Sequence, residues 1–78
     1  MTRIEGIPQS SVPFDVMARF RKDYAETNVI AVERCIVSDG SVYYALRFES
    51  GGKLQEALLT QEAELLRVYD KRDTPAEP

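Results

Sequence analysis

The spacing of hydrophobic residues along this chain changes near residue 28. Before that point, Val16, Phe20 and Tyr24 recur at every fourth position, which is the spacing of one face of an α-helix. From Val29 to Leu59, β-branched and apolar residues lie in short segments separated by turn sequences, as is typical of strands. The pattern predicts an α+β fold in which one N-terminal helix packs on one face of a three- to four-stranded antiparallel sheet.

The bounds of the helix and of the folded region follow from local signals. A helix should begin near Pro13, because proline is tolerated in the first turn, where its missing N–H would have no partner. It should end between residues 24 and 26. Residues 1–10 show no periodicity and are expected to form an extended lead-in, with a single domain over residues 11–69. Residues 70–78, with two prolines and mixed charge, are expected to form a disordered tail.

The turn sequence Ser38-Asp39-Gly40 predicts a hairpin and also its register. A two-residue Asp39-Gly40 loop would scatter the apolar residues over both faces. A three-residue loop with a left-handed Gly40 gathers them on one face, and it is preferred because a one-residue slip moves every side chain to the other face. The expected cross-strand pairs are Ile36–Val42, Val32–Leu46 and Ile30–Phe48. That face also holds Tyr44, with Arg34 its only charged residue, and is expected to be the core face.

A further strand should run from Leu54 to about Leu59, after a turn at Gly51-Gly52. If that turn has two residues, Arg47 lies opposite Glu56, which is a favourable cross-strand pair. Residues 60–69 allow two interpretations, since Gln61 to Leu66 are strong helix formers whereas the short segment ending in Val-Tyr suits a fourth strand. The strand interpretation is favoured.

The second face of the predicted sheet has an unusual composition. A solvated face of an antiparallel sheet is normally polar, but this one is more than half apolar and carries a tyrosine and an arginine, residue types favoured at interfaces. We therefore select Glu33, Cys35, Tyr43, Ala45 and Arg47 as candidate partner-binding residues; the alternative is that a loop or the tail covers this face. The whole set is Val29, Ala31, Glu33, Cys35, Val37, Tyr43, Ala45, Arg47 and Glu49.

The composition of the chain disfavours several classes of function. The 78 residues contain no histidine and one cysteine, Cys35, so Ser-His and Cys-His catalysis, an internal disulfide and a zinc site are not expected. No cofactor site is indicated. The net charge of −3, without a basic cluster, disfavours nucleic-acid binding. No apolar run is long enough for a membrane span or a signal peptide, so a cytoplasmic protein is expected, although an exported mature chain would look the same.

Several segments together resemble the PepSY-like family, which is related in fold to the repeat of the beta-lactamase-inhibitor protein. They are Val12-Pro13-Phe14 through Tyr24, the strand from Val29 to Val37, the run from Ser41 to Phe48, and the run from Gly52 to Leu59. Two departures from the family pattern matter. Ala25 stands where a proline usually follows the helix tyrosine, and Thr60 to Glu64 stand where the last turn usually reads Asp-x-Asp-Gly. The resemblance implies a non-enzymatic binding or inhibitory module, typically exported, that uses its sheet face.

The leading hypothesis is a small non-enzymatic protein-binding module, with inhibition of a larger protein as one form of that activity. It would act through the exposed sheet face on a protein partner or on a second copy. One alternative is a regulatory or anti-defence protein of a phage or mobile element, in line with the small size and acidity of the chain. Another is a structural homodimer formed through strand edges.

Overall fold

The computed structural model describes residues 2–70, which form an antiparallel sheet with one α-helix packed on it, so the predicted α+β fold is confirmed. The five strands follow one another across the sheet in chain order, and the helix lies in the connection between the first two. No helix within residues 2–70 has the length and apolarity needed to cross a membrane. The elements are β1 (Arg3–Ile7), a 3-10 turn (Gln9–Ser11), α1 (Phe14–Asp23), β2 (Asn28–Ile36), β3 (Val42–Ser50), β4 (Lys53–Thr60) and β5 (Leu65–Asp70).

The hairpin between β2 and β3 has the predicted three-residue loop. Gly40 has a φ of +91°, which is the left-handed conformation that favours glycine. The N–H of Val37 donates to the carbonyl of Ser41 at 3.0 Å and closes the loop. The Ser41 N–H also donates to the Asp39 carboxylate at 2.8 Å, which fixes the turn. Ile36 lies opposite Val42, and Val32 opposite Leu46, as the sequence predicts.

The third predicted pair of this hairpin is wrong. A β-bulge between Val29 and Ala31 makes Val29, not Ile30, the partner of Phe48. Ile30 is the extra residue and is 50% exposed, whereas Val29 packs against the core instead of lying on the second face. A bulge moves every residue before it to the opposite face of the sheet. The predicted assignment of residues to faces is therefore right from residue 31 onward and reversed for residues 29 and 30.

The strand count also differs from the prediction, because residues 1–10 contain β1. Arg3–Ile7 is extended as expected, but it pairs along its whole length with β2 and adds an edge strand that the sequence analysis missed. Glu5 lies directly opposite Arg34 and accepts hydrogen bonds from its Nε at 3.1 Å and its Nη2 at 2.7 Å. The charged residue that looked misplaced on the core face is therefore paired at its margin.

The remaining strands follow the favoured interpretation. Gly51 and Gly52 both have positive φ, and their two-residue turn places Arg47 opposite Glu56. Leu65–Asp70 forms a strand and not a helix, and it pairs with β4. Asp70, expected to begin the tail, instead ends β5, and residues 71–78 lie outside the described residues.

The core lies between α1 and one face of the sheet. Val16 and Phe20 project from the helix onto Leu46, Phe48 and Leu59, and all five are fully buried. The rings of Phe20 and Phe48 meet edge to face, with centroids 5.0 Å apart. Tyr44 is also buried, as predicted, so one face of the sheet is closed by the helix.

The end of the helix is tied to the start of β2 by one arginine. Nη1 of Arg21 donates to the carbonyl of Thr27 at 2.8 Å and to that of Tyr24 at 3.3 Å. The Tyr24 carbonyl lies at the end of the helix and also accepts from the Thr27 hydroxyl at 3.0 Å, whereas the Thr27 carbonyl lies in the connection beyond it. These bonds hold the short connection from residue 24 to residue 27 and so help to set the position of α1 over the sheet.

Candidate functional site: the open face of the sheet

The face of the sheet that points away from α1 is called the open face here. Within residues 2–70, the core cluster and the helix lie on the opposite side. Because side chains alternate along a strand, the strand register assigns each residue to a face. The open face comprises Ile4, Gly6, Ala31, Glu33, Cys35, Tyr43, Ala45, Arg47, Glu49, Leu54, Glu56, Leu58, Thr60, Arg67 and Tyr69.

The structure brings all five candidate residues together on this face. Cys35 lies opposite Tyr43, and Glu33 lies opposite Ala45, on the paired strands β2 and β3. Arg47 lies opposite Ala31 on one side and Glu56 on the other. Their shared position is a property of the fold, whereas their role in binding stays a prediction.

Sequence analysis missed the part of the open face supplied by the strands outside the central β2–β3 hairpin. Leu54 and Leu58 extend it along β4, Ile4 adds to it from β1, and Tyr69 adds to it from β5. Ile4 is 60% exposed and Tyr69 is 39% exposed. The Gly51-Gly52 turn carried the signal for β4, since a two-residue turn fixes which of its residues share a face with Arg47.

The middle of the open face is a small residue surrounded by longer ones. Ala45 has Tyr43 and Arg47 as its same-face neighbours along β3, and Glu33 and Leu58 beside it on β2 and β4. It is 5% exposed, because these longer side chains stand around it. Ala45 therefore forms the floor of this region, and the contacts with any bound molecule would come from its neighbours.

Two polar side chains near Ala45, those of Arg47 and Glu56, have atoms that are buried away from water. Nε of Arg47 is buried and has no hydrogen-bond partner among the described residues. Leaving such a donor unsatisfied costs about 1–3 kcal/mol. Glu56, which is 4% exposed, accepts a hydrogen bond from the Tyr69 hydroxyl at 2.9 Å. Burial, together with this bond to a carboxylate, raises the pKa of Tyr69, so its hydroxyl stays protonated and remains a donor.

The thiol of Cys35 is poorly suited to nucleophilic chemistry. Burial raises its pKa, and the nearby carboxylates of Glu33 and Glu56 raise it further. A thiol reacts as the thiolate, and every one of these influences disfavours the thiolate. Within residues 2–70 no group of three acidic, cysteine or histidine side chains is arranged to hold a metal ion. The described open face thus offers contact area and hydrogen bonds.

A scan against family models, a search of curated proteins and a search of solved structures each found no match. The resemblance to the PepSY-like family accordingly stays a prediction. The functional argument therefore depends on the geometry of this chain itself.

Proposed function

We propose that this chain is a small, non-enzymatic protein-binding module whose docking surface is the open face of its sheet. The observation that carries the proposal is that, within residues 2–70, the helix and core lie on the other side of the sheet and leave Tyr43, Leu54 and Leu58 around Arg47 on the open face. Buried donors in folded proteins nearly always have a partner. Nε of Arg47 has none among the described residues, and docking that turns this guanidinium toward an acceptor oxygen of the bound protein would supply one.

The apolar surroundings of Arg47 support the same proposal. Tyr43, Leu54 and Leu58 provide contact area around the buried floor at Ala45. Interfaces favour this combination of an aromatic ring and an arginine at a desolvated centre with polar groups around it. The chemistry fits a partner segment that places a backbone carbonyl or a carboxylate over Arg47 and apolar side chains on either side.

The test compares two double variants in affinity capture from the host cell, followed by mass spectrometry. Tyr43→Ala with Arg47→Ala removes an aromatic ring and a guanidinium from the open face. Phe14→Ala with Arg19→Ala removes the same two groups from the helix, on the opposite side of the molecule, where Phe14 is 83% exposed. Circular dichroism first establishes that both variants are folded.

We expect a protein captured by the wild-type chain to be lost, by tenfold or more, with the open-face variant and retained with the helix variant. About 1.4 kcal/mol corresponds to each tenfold loss, and removal of two central interface residues costs at least that much. Equal capture by the folded open-face variant and the wild-type chain would show that the partner binds elsewhere.

A further inference from the structure

β1 forms one margin of the sheet, and its outer edge is not paired with any strand within residues 2–70. Its five residues pair with β2 in continuous register, without a bulge. Such an edge presents a row of backbone donors and acceptors that another strand can use. The sequence of this short strand restricts which strand fits it best.

Two copies of one strand can pair antiparallel around a two-fold axis perpendicular to the sheet. Residues that lie directly opposite each other must then point to the same face, so their numbers differ by an even amount. Arg3 and Glu5 are two positions apart and point to the same face. A register with Ile4 on the axis therefore sets each Arg3 opposite the partner's Glu5, which forms two opposite-charge pairs.

The two neighbouring registers of the β1–β1 pair are less favourable, because each sets like charges opposite each other. With Glu5 on the axis, two carboxylates would lie opposite each other, and with Arg3 on the axis two guanidinium groups would. The Ile4-centred register also accounts for an exposed apolar residue, since Ile4 is 60% exposed on the open face and would pack against the partner's Ile4. Charge and burial thus select the same register.

β5, at the other margin of the sheet, cannot form such opposite-charge pairs with a second copy. In β5 the charged residues Arg67 and Asp70 are three positions apart, so no two-fold antiparallel register can place them opposite each other. A register shift between Leu58 and Leu59 also marks a bulge in the pairing of β4 with β5, and bulges are one way in which proteins disfavour edge pairing.

We propose that the chain forms a two-fold symmetric homodimer through antiparallel pairing of β1 with β1 of a second copy, with Ile4 on the axis. In the single chain Glu5 pairs with Arg34 at 2.7 Å and with its own Arg3 at 2.8 Å, and in the dimer each Arg3 exchanges this pairing for the partner's Glu5. The two sheets join into one, and both open faces lie side by side on the same surface. Pairing over so short an edge buries little area, so the dimer is weak.

Disulfide trapping tests both the dimer and its register. In a Cys35→Ala background, Ile4→Cys places two thiols on the axis, where Cα atoms are about 4.5–5.5 Å apart and a disulfide can form. The matched control is Leu66→Cys in the same background, because Leu66 is 46% exposed and lies on β5, at the other margin of the sheet. We expect mild oxidation to give a reducible dimer from the Ile4→Cys protein and not from the control.

Charge reversal provides a second, reversible measurement by sedimentation equilibrium. Arg3→Glu replaces both opposite-charge pairs with like-charge pairs, and we expect the dimer to weaken about tenfold or more. Lys53→Glu makes the same charge change at an exposed residue outside the edge and should leave the dissociation constant unchanged. Tyr43→Ala with Arg47→Ala should also leave it unchanged, so failure of this proposal is distinguishable from failure of the docking proposal.

A wild-type chain that remains monomeric up to about 1 mM would overturn the proposal. So would a dimer that is insensitive to Arg3→Glu, or disulfide formation that is equal at Ile4 and Leu66. The Glu5-centred register would hold the two introduced cysteines about 8 Å apart, too far for a disulfide, so the trapping result also reports the register.

Discussion

Two adjacent leucines in β4 provide a sensitive test of the two-faced sheet. Leu59 is fully buried beneath α1, whereas Leu58 lies half-buried on the open face, opposite Ala45. The same substitution, leucine to alanine, can be made at both positions. The structure predicts very different losses in the free energy of unfolding, although the two residues are chemically identical and joined in sequence.

The magnitudes follow from burial. Truncation of Leu59 removes three carbons from a closed core, which costs roughly 2.4 kcal/mol in transfer free energy and about 3–5 kcal/mol once the cavity is included. Truncation of Leu58 removes the same three carbons from a partly exposed site, so it costs less, roughly 1–2 kcal/mol, and leaves no closed cavity because the site is open to solvent. A domain of this size has a total stability of only about 3–5 kcal/mol, so Leu59→Ala should be near its limit of stability.

Urea unfolding monitored by circular dichroism measures both losses at one temperature. Leucine-to-valine substitutions at the same two positions should destabilise the protein less, so that both variants stay folded and their unfolding transitions can be compared directly. Equal losses at Leu58 and Leu59 would refute the reasoning, because they would mean that the open face is as well covered in the free protein as the helix face.

Three further predictions concern a charge pair, a turn and a thiol. The Arg34 guanidinium lowers the pKa of Glu5, so the stabilisation from this pair is present above the ordinary pKa near 4.5 and is lost as the pH falls through the lowered value. Melting temperatures measured across acidic pH should show this loss in the wild type and not in Glu5→Gln. Gly40→Ala should cost about 1–2 kcal/mol because Gly40 has a φ of +91°, whereas Gly6→Ala in β1 should have little effect on the unfolding midpoint, and equal effects would contradict the loop geometry. Because burial raises the pKa of Cys35, iodoacetamide should label the folded chain more slowly at pH 8 than the urea-unfolded chain, and equal rates would contradict the burial of this thiol.

The central hairpin could be predicted because its signals are local. Gly40 fixes the loop, and the alternation of apolar residues then selects one register from two, which the structure confirms at Val32 and Ile36. The two-residue turn at Gly51 and Gly52 similarly fixed the pairing of Arg47 with Glu56. Turn chemistry and face alternation act over a few residues and can be recognised without knowledge of the rest of the chain.

The errors arose where distant segments decide the structure. β1 is short, contains Gly6 and has few apolar residues, so its strand conformation depends on pairing with β2, which lies more than twenty positions away in sequence. Arg34 was the available signal, because a charged residue on a core face requires a partner, and Glu5 supplies it. The bulge at Ile30, which sets Val29 opposite Phe48, likewise leaves no mark in the alternation of apolar and polar residues.

The most direct test of the central claim, that the open face docks a protein, is site-specific photo-crosslinking in the host cell. A benzophenone-bearing phenylalanine analogue replaces Tyr43, the same-face neighbour of Ala45 in the middle of the open face, or, as the control, Phe14, which is 83% exposed on the helix. We predict a discrete crosslinked species from position 43 that is absent from position 14 and is lost when Arg47→Ala is added. Crosslinking from position 14 alone, or equal crosslinking from both positions, would contradict the account.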